Sequence, residues 1–207
     1  MTNYQAPTET YVGLQAAFDH FNERLFEKRL PPVMFTLTRK KGARGYFWAE
    51  QFNHRDGDLT VHEISLNPES MDRSIEAVLS TLVHEMTHLE QQEYGTPGKG
   101  GFHNKAWADL MLRVGLTPTD TGAEGGKMTG RKVTHMIDEG GPFECAMTEL
   151  MPFDLPYFTK PKAPGEKKKD LSKVKHTCPG CEAKAWAKQG SRLICGDCDQ
   201  ELVGEEV

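Results

Sequence analysis

The sequence lacks a long hydrophobic run, since no stretch approaches the ~18 apolar residues that a membrane-spanning helix needs. Mean hydropathy is −0.59, and residues 1–10 are polar, without the apolar segment of a secretory signal peptide. These absences argue against a membrane protein and against a membrane partner. We therefore expect a cytoplasmic protein.

Cysteine is also scarce, with 5 residues among 207, which is too few for a disulfide-rich fold. Four of the five form two C-x-x-C pairs, Cys178 with Cys181 and Cys195 with Cys198. In a reducing compartment such pairs indicate metal binding rather than disulfides. Cys145 stands outside this pattern and is expected to be a buried apolar residue.

An excess of positive charge is missing as well, because 25 Lys and Arg face 30 Asp and Glu, for a net charge of −5. This balance excludes a basic body that binds nucleic acid through its overall field. Basic residues are concentrated locally, in residues 39–44 and in residues 160–175, which hold seven Lys and two acidic residues. These segments and the cysteine-rich end permit contact with DNA without requiring it, and the lysine run could equally be a solvated tether.

The most informative motif that is present is H-E-x-x-H, formed by His84, Glu85 and His88. Two histidines four residues apart lie on one face of a helix, so both imidazoles can bind the same ion. Glu85 would then lie beside the ion, where a carboxylate can take a proton from an attacking water. The pattern predicts a catalytic zinc site in a hydrolase, most often a peptidase.

A catalytic zinc site usually has three protein ligands, so one more is needed. The extended H-E-x-x-H-x-x-G-x-x-H pattern is excluded, because Gln91 and Tyr94 occupy its last two defining positions. His103, which follows a glycine-rich loop, is the first candidate, and Asp109 in the helix after it is the second. His62 and His135 are interpreted as sheet or surface histidines.

Apolar periodicity predicts both helices and strands, and apolar residues spaced by three and four mark the buried face of the motif helix. The third strand carries polar residues on both faces and is therefore predicted to be an edge strand. The predicted elements are helices at Thr8–Phe26, Met71–Tyr94 and Asn104–Val114, strands at Val33–Arg39, Tyr46–Phe52, Leu59–Leu66 and Val133–Glu139, and an irregular loop at 116–131.

The two C-x-x-C pairs are separated by thirteen residues, a spacing typical of a zinc ribbon. Four thiolates close the coordination sphere, so this second zinc would be structural. The residues between the pairs, Ala183–Ile194, predict a β-hairpin that turns at Gln189-Gly190. Trp186, Lys184, Lys188 and Arg192 could bind nucleic acid, or Trp186 could simply cover the hairpin.

The order of these elements resembles the SprT-like zinc metallopeptidase family over about residues 8–160. The residues that carry the resemblance are the H-E-x-x-H helix, the glycine-rich loop, His103, Trp107 and Gly115. It implies a compact α+β zincin fold with a small β-sheet, zinc at His84, His88 and His103, and Glu85 as the catalytic acid and base. Several SprT-like proteins end in a zinc ribbon, and the eukaryotic branch is associated with proteolysis of proteins crosslinked to DNA.

The sequence thus predicts a metallopeptidase domain at 1–159, a lysine-rich linker at 160–175 and a four-cysteine zinc ribbon at 176–207. A protein substrate is expected, and Tyr46 and His135 are candidates to stabilise the oxyanion. Two alternatives stay open. One is a non-catalytic protein that uses the ribbon to bind DNA or the transcription machinery, and the other is a zinc hydrolase that acts on an amide outside proteins.

Overall fold

The computed structural model describes residues 5–152, 174–188 and 190–204. The chain forms two compact units, Met1–Lys160 and Pro161–Val207, and each has its own hydrophobic core. Most of the predicted lysine-rich linker lies outside the described residues, so the predicted three-part division stays a prediction. None of the helices in the described ranges is both long and apolar enough to cross a bilayer.

The first unit mixes four helices with two small sheets within its described residues. A short 3-10 turn at Pro68–Ser70 precedes the second helix. In chain order the elements are α1 Ala6–Leu25, β1 Val33–Leu37, β2 Gly45–Asn53, β3 Thr60–Leu66, α2 Ile75–Tyr94, α3 Lys105–Arg113, β4 Leu116–Thr119, β5 Thr134–Ile137 and α4 Pro142–Leu150.

The main sheet has the order β1-β3-β2, with β1 parallel and β2 antiparallel to β3. Phe35 and Phe47 both pair with Ile64, so one row of apolar side chains crosses the sheet and meets the core. The register of β2 shifts between Trp48 and Phe52, where a bulge bends the strand. The bulge leaves the first half of β2 paired beside the motif helix.

The prediction that the third strand lies at an edge is wrong, because β3 is the central strand. Its polar side chains are buried but have partners, so they do not require an exposed edge. The Nε2 atom of His62 is 3.0 Å from Glu93 Oε1, and the Tyr46 hydroxyl lies 3.1 Å from Glu63 Oε1. The polar residues of β3 therefore form hydrogen bonds inside the protein and do not face solvent.

The core forms between α1, α2 and the inner face of the sheet. The predicted stripe of α1 is buried at Leu14, Phe18, Phe21 and Leu25, whereas Tyr11 stays exposed. The motif helix begins later than predicted, because the Ser74 side chain accepts a hydrogen bond from the Ala77 backbone N–H and caps it. Its predicted end is confirmed by Tyr94 as the last helical residue.

Two further elements were not predicted from the sequence. Residues 116–131 were predicted as irregular, but Leu116–Thr119 forms β4 and pairs antiparallel with β5. The sequence did not indicate this strand because it contains Pro118, and proline argues against a strand interior. Helix α4 packs on α1, where the rings of Phe21 and Phe143 stack at 5.5 Å between centroids.

The second unit is a three-stranded sheet with the order β7-β6-β8, formed by β6 Val174–Thr177, β7 Lys184–Ala187 and β8 Val203–Gly204. The predicted hairpin between the cysteine pairs is wrong. Strand β7 pairs with β6 across the first pair, and Ile194 bridges to Glu201 across the second. Each C-x-x-C pair turns the chain back by itself, so the hairpins close around the pairs rather than between them.

Candidate active site and metal centres

Helix α2 carries the first part of the site. Its apolar residues Val78, Leu82 and Met86 are buried in the core, and the motif lies on the adjoining face. His84 and Glu85 are 8% and 4% exposed. Apolar residues and histidines both recur every three or four residues along α2, but the two series start at different positions. They therefore lie on two neighbouring faces of the helix.

His103 joins the two motif histidines from outside the helix. It precedes Asn104, whose side chain caps α3 and also accepts a hydrogen bond of 2.8 Å from Gln91 Nε2 on α2. The backbone of His103 pairs with Gly130, and the His103 Nδ1 atom lies 3.0 Å from the Gly130 oxygen. These contacts fix both the position and the ring orientation of His103.

The three imidazoles of His84, His88 and His103 each offer a ligand atom within 4.8 Å of the others. A tetrahedral zinc ion with nitrogen ligands at about 2.0–2.1 Å would place those nitrogens about 3.3 Å apart. The cluster therefore fits a metal ion such as zinc with little movement of the side chains. The three residues are those predicted from the sequence, and their role as zinc ligands stays a prediction.

Trp107 of α3 forms an apolar floor under the cluster. It is fully buried, and its ring centroid lies 4.9, 5.1 and 4.2 Å from those of His84, His88 and His103. Among the buried side-chain nitrogen and oxygen atoms of the described residues, Trp107 Nε1 is the one without a hydrogen-bond partner. Sequence periodicity placed Trp107 inward, but it gave no sign that the ring would touch all three histidines.

Burial keeps the cluster neutral, which is the form that binds metal. Desolvation, followed by the neighbouring imidazoles, lowers the pKa of His84 well below its usual value. Burial and then His103 lower the pKa of His88 to about 3. Burial also lowers the pKa of His103, although the hydrogen bond to the Gly130 carbonyl acts in the opposite direction.

Glu85 is a buried carboxyl group beside the cluster. Burial raises its pKa to about 8, and the positive charge of Lys40 acts against this rise. Gly45 on β2 borders the carboxyl group, since a Cβ atom at that position would lie 3.0 Å from Glu85 Oε1. A carboxyl group with a pKa near neutrality can both accept and return a proton.

The other candidates from the sequence are placed differently. Asp109 forms an exposed ion pair of 2.8 Å with Lys105 and is not part of the histidine cluster. Tyr46 follows Gly45 and so points to the opposite face of β2 from Glu85. His62 lies in β3, as interpreted. His135 is also in a strand, and its Nδ1 atom is 3.2 Å from His84 Nδ1. The sequence named His135 as an oxyanion candidate, but it did not predict this contact with His84.

The second centre consists of Cys178, Cys181, Cys195 and Cys198, whose sulfur atoms lie within 4.8 Å of one another. The sulfur atoms of Cys181 and Cys195 are 3.5 Å apart, close to the about 3.8 Å of tetrahedral zinc with Zn–S bonds of about 2.3 Å. A backbone hydrogen bond from Cys181 and one from Gly180 lower the pKa of Cys178 to about 7. The four thiols therefore fit one metal ion.

Cys145 stays outside this cluster and is exposed, so the prediction of a buried residue is wrong.

An aromatic and basic patch lies on the outer face of β2, formed by Lys40, Tyr46 and Trp48. The rings of Tyr46 and Trp48 are 5.2 Å apart, and the Lys40 Nζ atom lies 4.5 and 5.2 Å from their centroids. Trp48 is 52% exposed. In the second unit, Trp186 is 62% exposed, so it does not cover the sheet as one interpretation held.

Comparison with known proteins gives a family match over the first unit. The model of the SprT-like family matches residues 14–125, more than half of the chain. A protein of Salmonella typhimurium, described as an uncharacterized protein in the mucB 3' region, is 48% identical over 56 residues. That alignment spans 27% of this chain and 76% of the relative. No solved structure matches the chain significantly.

Proposed function

The chain belongs to the SprT-like family, and on this premise we propose that it is a zinc-dependent metallopeptidase. The observation that carries the proposal is the buried carboxyl group of Glu85 beside the cluster of His84, His88 and His103. A site that only held a structural ion would not need an acid group next to three neutral ligands. The proposed fold for such an enzyme is that of the zincins.

In the proposed reaction, His84, His88 and His103 would hold the zinc ion, and Glu85 would accept and return the proton. A bound zinc ion supplies Lewis acidity, which activates water and polarises a carbonyl group. Glu85 takes the proton from the attacking water and delivers it to the leaving amine. Burial of the carboxyl group excludes bulk water and keeps the proton within the site.

The Glu85→Gln variant tests this assignment. Glutamine keeps the size and polarity of the side chain but cannot accept the proton. We expect the variant to retain its metal and lose about 10²- to 10⁴-fold in turnover, the usual contribution of general acid–base catalysis. Turnover is measured on unfolded protein substrates, and metal content by mass spectrometry of the elements.

Glu76→Gln is the matched control, because Glu76 is an exposed residue of the same helix. It should leave both turnover and metal content unchanged. Full activity of Glu85→Gln would overturn the proposed mechanism. Metal binding without cleavage in the unmodified protein would favour the non-catalytic binding protein.

We further propose that the substrates are proteins associated with DNA. Support comes from the patch of Lys40, Tyr46 and Trp48, which combines the exposed ring of Trp48 and the half-buried ring of Tyr46 with positive charge, the chemistry that binds single-stranded DNA. Exposed Trp186 adds an aromatic ring in the second unit. Lysine residues at 160–175 supply further charge in the sequence.

The Trp48→Ala variant tests the DNA proposal. Stacking of one base contributes about 1–3 kcal/mol, so the affinity for a single-stranded oligonucleotide should fall between about fivefold and a hundredfold. Fluorescence anisotropy at a stated salt concentration measures this change. Leu59→Ala removes another exposed apolar residue, which lies just before β3, and should have no effect. Equal affinities of Trp48→Ala and the unmodified protein would exclude the patch as a DNA site.

A further inference from the structure

His135 contacts the histidine cluster from a strand outside it. Its Nδ1 atom is 3.2 Å from His84 Nδ1, and its Nε2 atom is 2.9 Å from Ser80 Oγ. The Ser80 hydroxyl in turn donates a hydrogen bond of 3.2 Å to the Ala77 carbonyl oxygen. Ser80 and His84 lie one turn apart on α2, so His135 connects two positions on the same face of that helix.

The proton positions along this chain of contacts follow from the need for one donor in each hydrogen bond. Because the Ser80 hydroxyl donates its hydrogen bond to Ala77, its oxygen accepts a hydrogen bond from the Nε2–H group of His135. A neutral imidazole has one N–H group, so His135 Nδ1 must be an acceptor. His84 therefore carries its proton on Nδ1, and its free lone pair is on Nε2.

His103 reaches the same state by a different contact. Its Nδ1–H group donates to the Gly130 carbonyl oxygen at 3.0 Å, which also leaves Nε2 with the free lone pair. Two of the three candidate ligands are thus held in the same tautomer by hydrogen bonds on the side away from the metal. Outer partners of this kind orient ligand rings and raise metal affinity.

His135 itself lies outside the group of residues whose ligand atoms are all within 4.8 Å of one another. It is also not a carboxylate, the partner that often orients a metal-bound histidine. A neutral imidazole fixes the ring without adding negative charge to the site. The function of His135 therefore depends on its Nδ1 lone pair rather than on charge or coordination.

We propose that His135 is a positioning residue that sets the tautomer and ring orientation of His84 for metal binding. The proposal rests on the histidine metal site of the proposed function, but not on peptide cleavage. It requires an acceptor atom at the place of His135 Nδ1. Substitutions that keep or move this atom can therefore separate it from a role in packing.

The experiment compares His135→Asn, His135→Gln and His135→Leu. The amide oxygen of Asn can occupy the place of Nδ1, whereas that of Gln lies near the place of Nε2, and Leu has no acceptor. We expect Gln and Leu to weaken Co²⁺ or Zn²⁺ binding about 10- to 100-fold, and Asn to retain most of the affinity. Competition with a chelator measures affinity, and the visible spectrum of the Co²⁺-loaded full chain reports ligand geometry.

Two references are available in the same chain. His54→Leu changes an exposed histidine and should leave affinity and spectrum unchanged. The four-cysteine centre has its own thiolate-to-cobalt absorption, which should be the same in all variants. Unchanged affinity and spectrum in His135→Leu would overturn the proposal, as would an equal loss in the Asn and Gln variants. If the unmodified protein binds metal but cleaves no protein substrate, the proposed function is contradicted and the proposal for His135 is not.

Discussion

At the scale of single residues, Gly45 shows how closely β2 approaches the site. A Cβ atom there would lie 2.9 Å from the Ser65 carbonyl oxygen, 3.0 Å from Glu85 Oε1 and 3.1 Å from Thr81 Cγ2. The carboxylate end could move aside, but the Ser65 backbone could not do so without shifting β3. Glycine at this position therefore sets the distance between the strand and the proposed proton acceptor.

We predict that Gly45→Ala lowers turnover by at least about tenfold, because displacement of a reacting group by about 1 Å can cost about 10²-fold. Metal affinity should change much less, since the three atoms nearest to a Cβ atom at Gly45 belong to Ser65, Glu85 and Thr81 rather than to a histidine. Steady-state kinetics and chelator competition measure the two effects. Gly57→Ala is the control, as a Cβ atom there meets nothing within 4 Å. A variant with normal turnover would show that the approach of β2 is unimportant for Glu85.

At the scale of elements, α2 both completes the core and presents the site. Its apolar face holds Leu79, Leu82 and Met86 with no exposed area, and the adjoining face presents His84 and His88. Protonation of the ligands therefore acts on the stability of the same helix. The pKa of His88 is about 3 in the folded protein, far below the value of 6.5 for a free histidine.

We predict that His88 makes the metal-free protein less stable as the pH falls below 6.5. Between pH 6.5 and about 3 the unfolded chain binds a proton at His88 that the folded protein does not. The free energy of unfolding thus falls by roughly 1.4 kcal/mol for each pH unit of decrease. Above pH 6.5 neither state is protonated, and the contribution vanishes.

Glu85 changes the free energy of unfolding with pH in the opposite direction. Its pKa is raised from 4.5 to about 8 on folding, so its contribution to stability is lost as the pH rises through this range. The measurement is therefore the difference between the unmodified protein and His88→Gln in urea denaturation at pH 5 and pH 7. His88→Gln should gain relative stability at pH 5. A difference that does not depend on pH would contradict the predicted protonation.

At the scale of the whole molecule, the two units differ in the size of their hydrophobic cores. Among the described residues, the core of the first unit has 25 buried apolar residues, whereas that of the second contains Cys178, Cys195 and Leu202. A core of that size contributes too little to offset the chain entropy of folding. Zinc bound by the four cysteines would therefore supply most of the folding free energy of the second unit.

We predict that removal of metal unfolds the second unit and leaves the first folded. Amide hydrogen exchange of the full chain with and without chelator measures this, with loss of protection expected in β6 and β7 but not in α2. Cys195→Ser should reproduce the effect without chelator. Retained protection of β6 in the metal-free protein would mean that the second unit is stable without its ion.

The sequence predicted the elements whose signals are local. The amphipathic stripes of α1 and α2, the three histidines and the four cysteines were identified because helical period and knuckle spacing involve residues a few positions apart. The family resemblance rests on the same residues and is confirmed by the family match. The start of α2 was missed by a few residues, because Ser74 and the turn before it both offer caps.

The sequence by itself determined which histidines and cysteines are candidate metal ligands, because their spacing on a helix or in a C-x-x-C pair is a property of local geometry. Only the tertiary structure decided that β3 is central, that Gly45 borders Glu85 and that His135, 51 residues from His84, meets its ring. These are contacts between distant parts of the chain. They depend on how sheets and helices pack around one core, and no pattern of neighbouring residues encodes that packing.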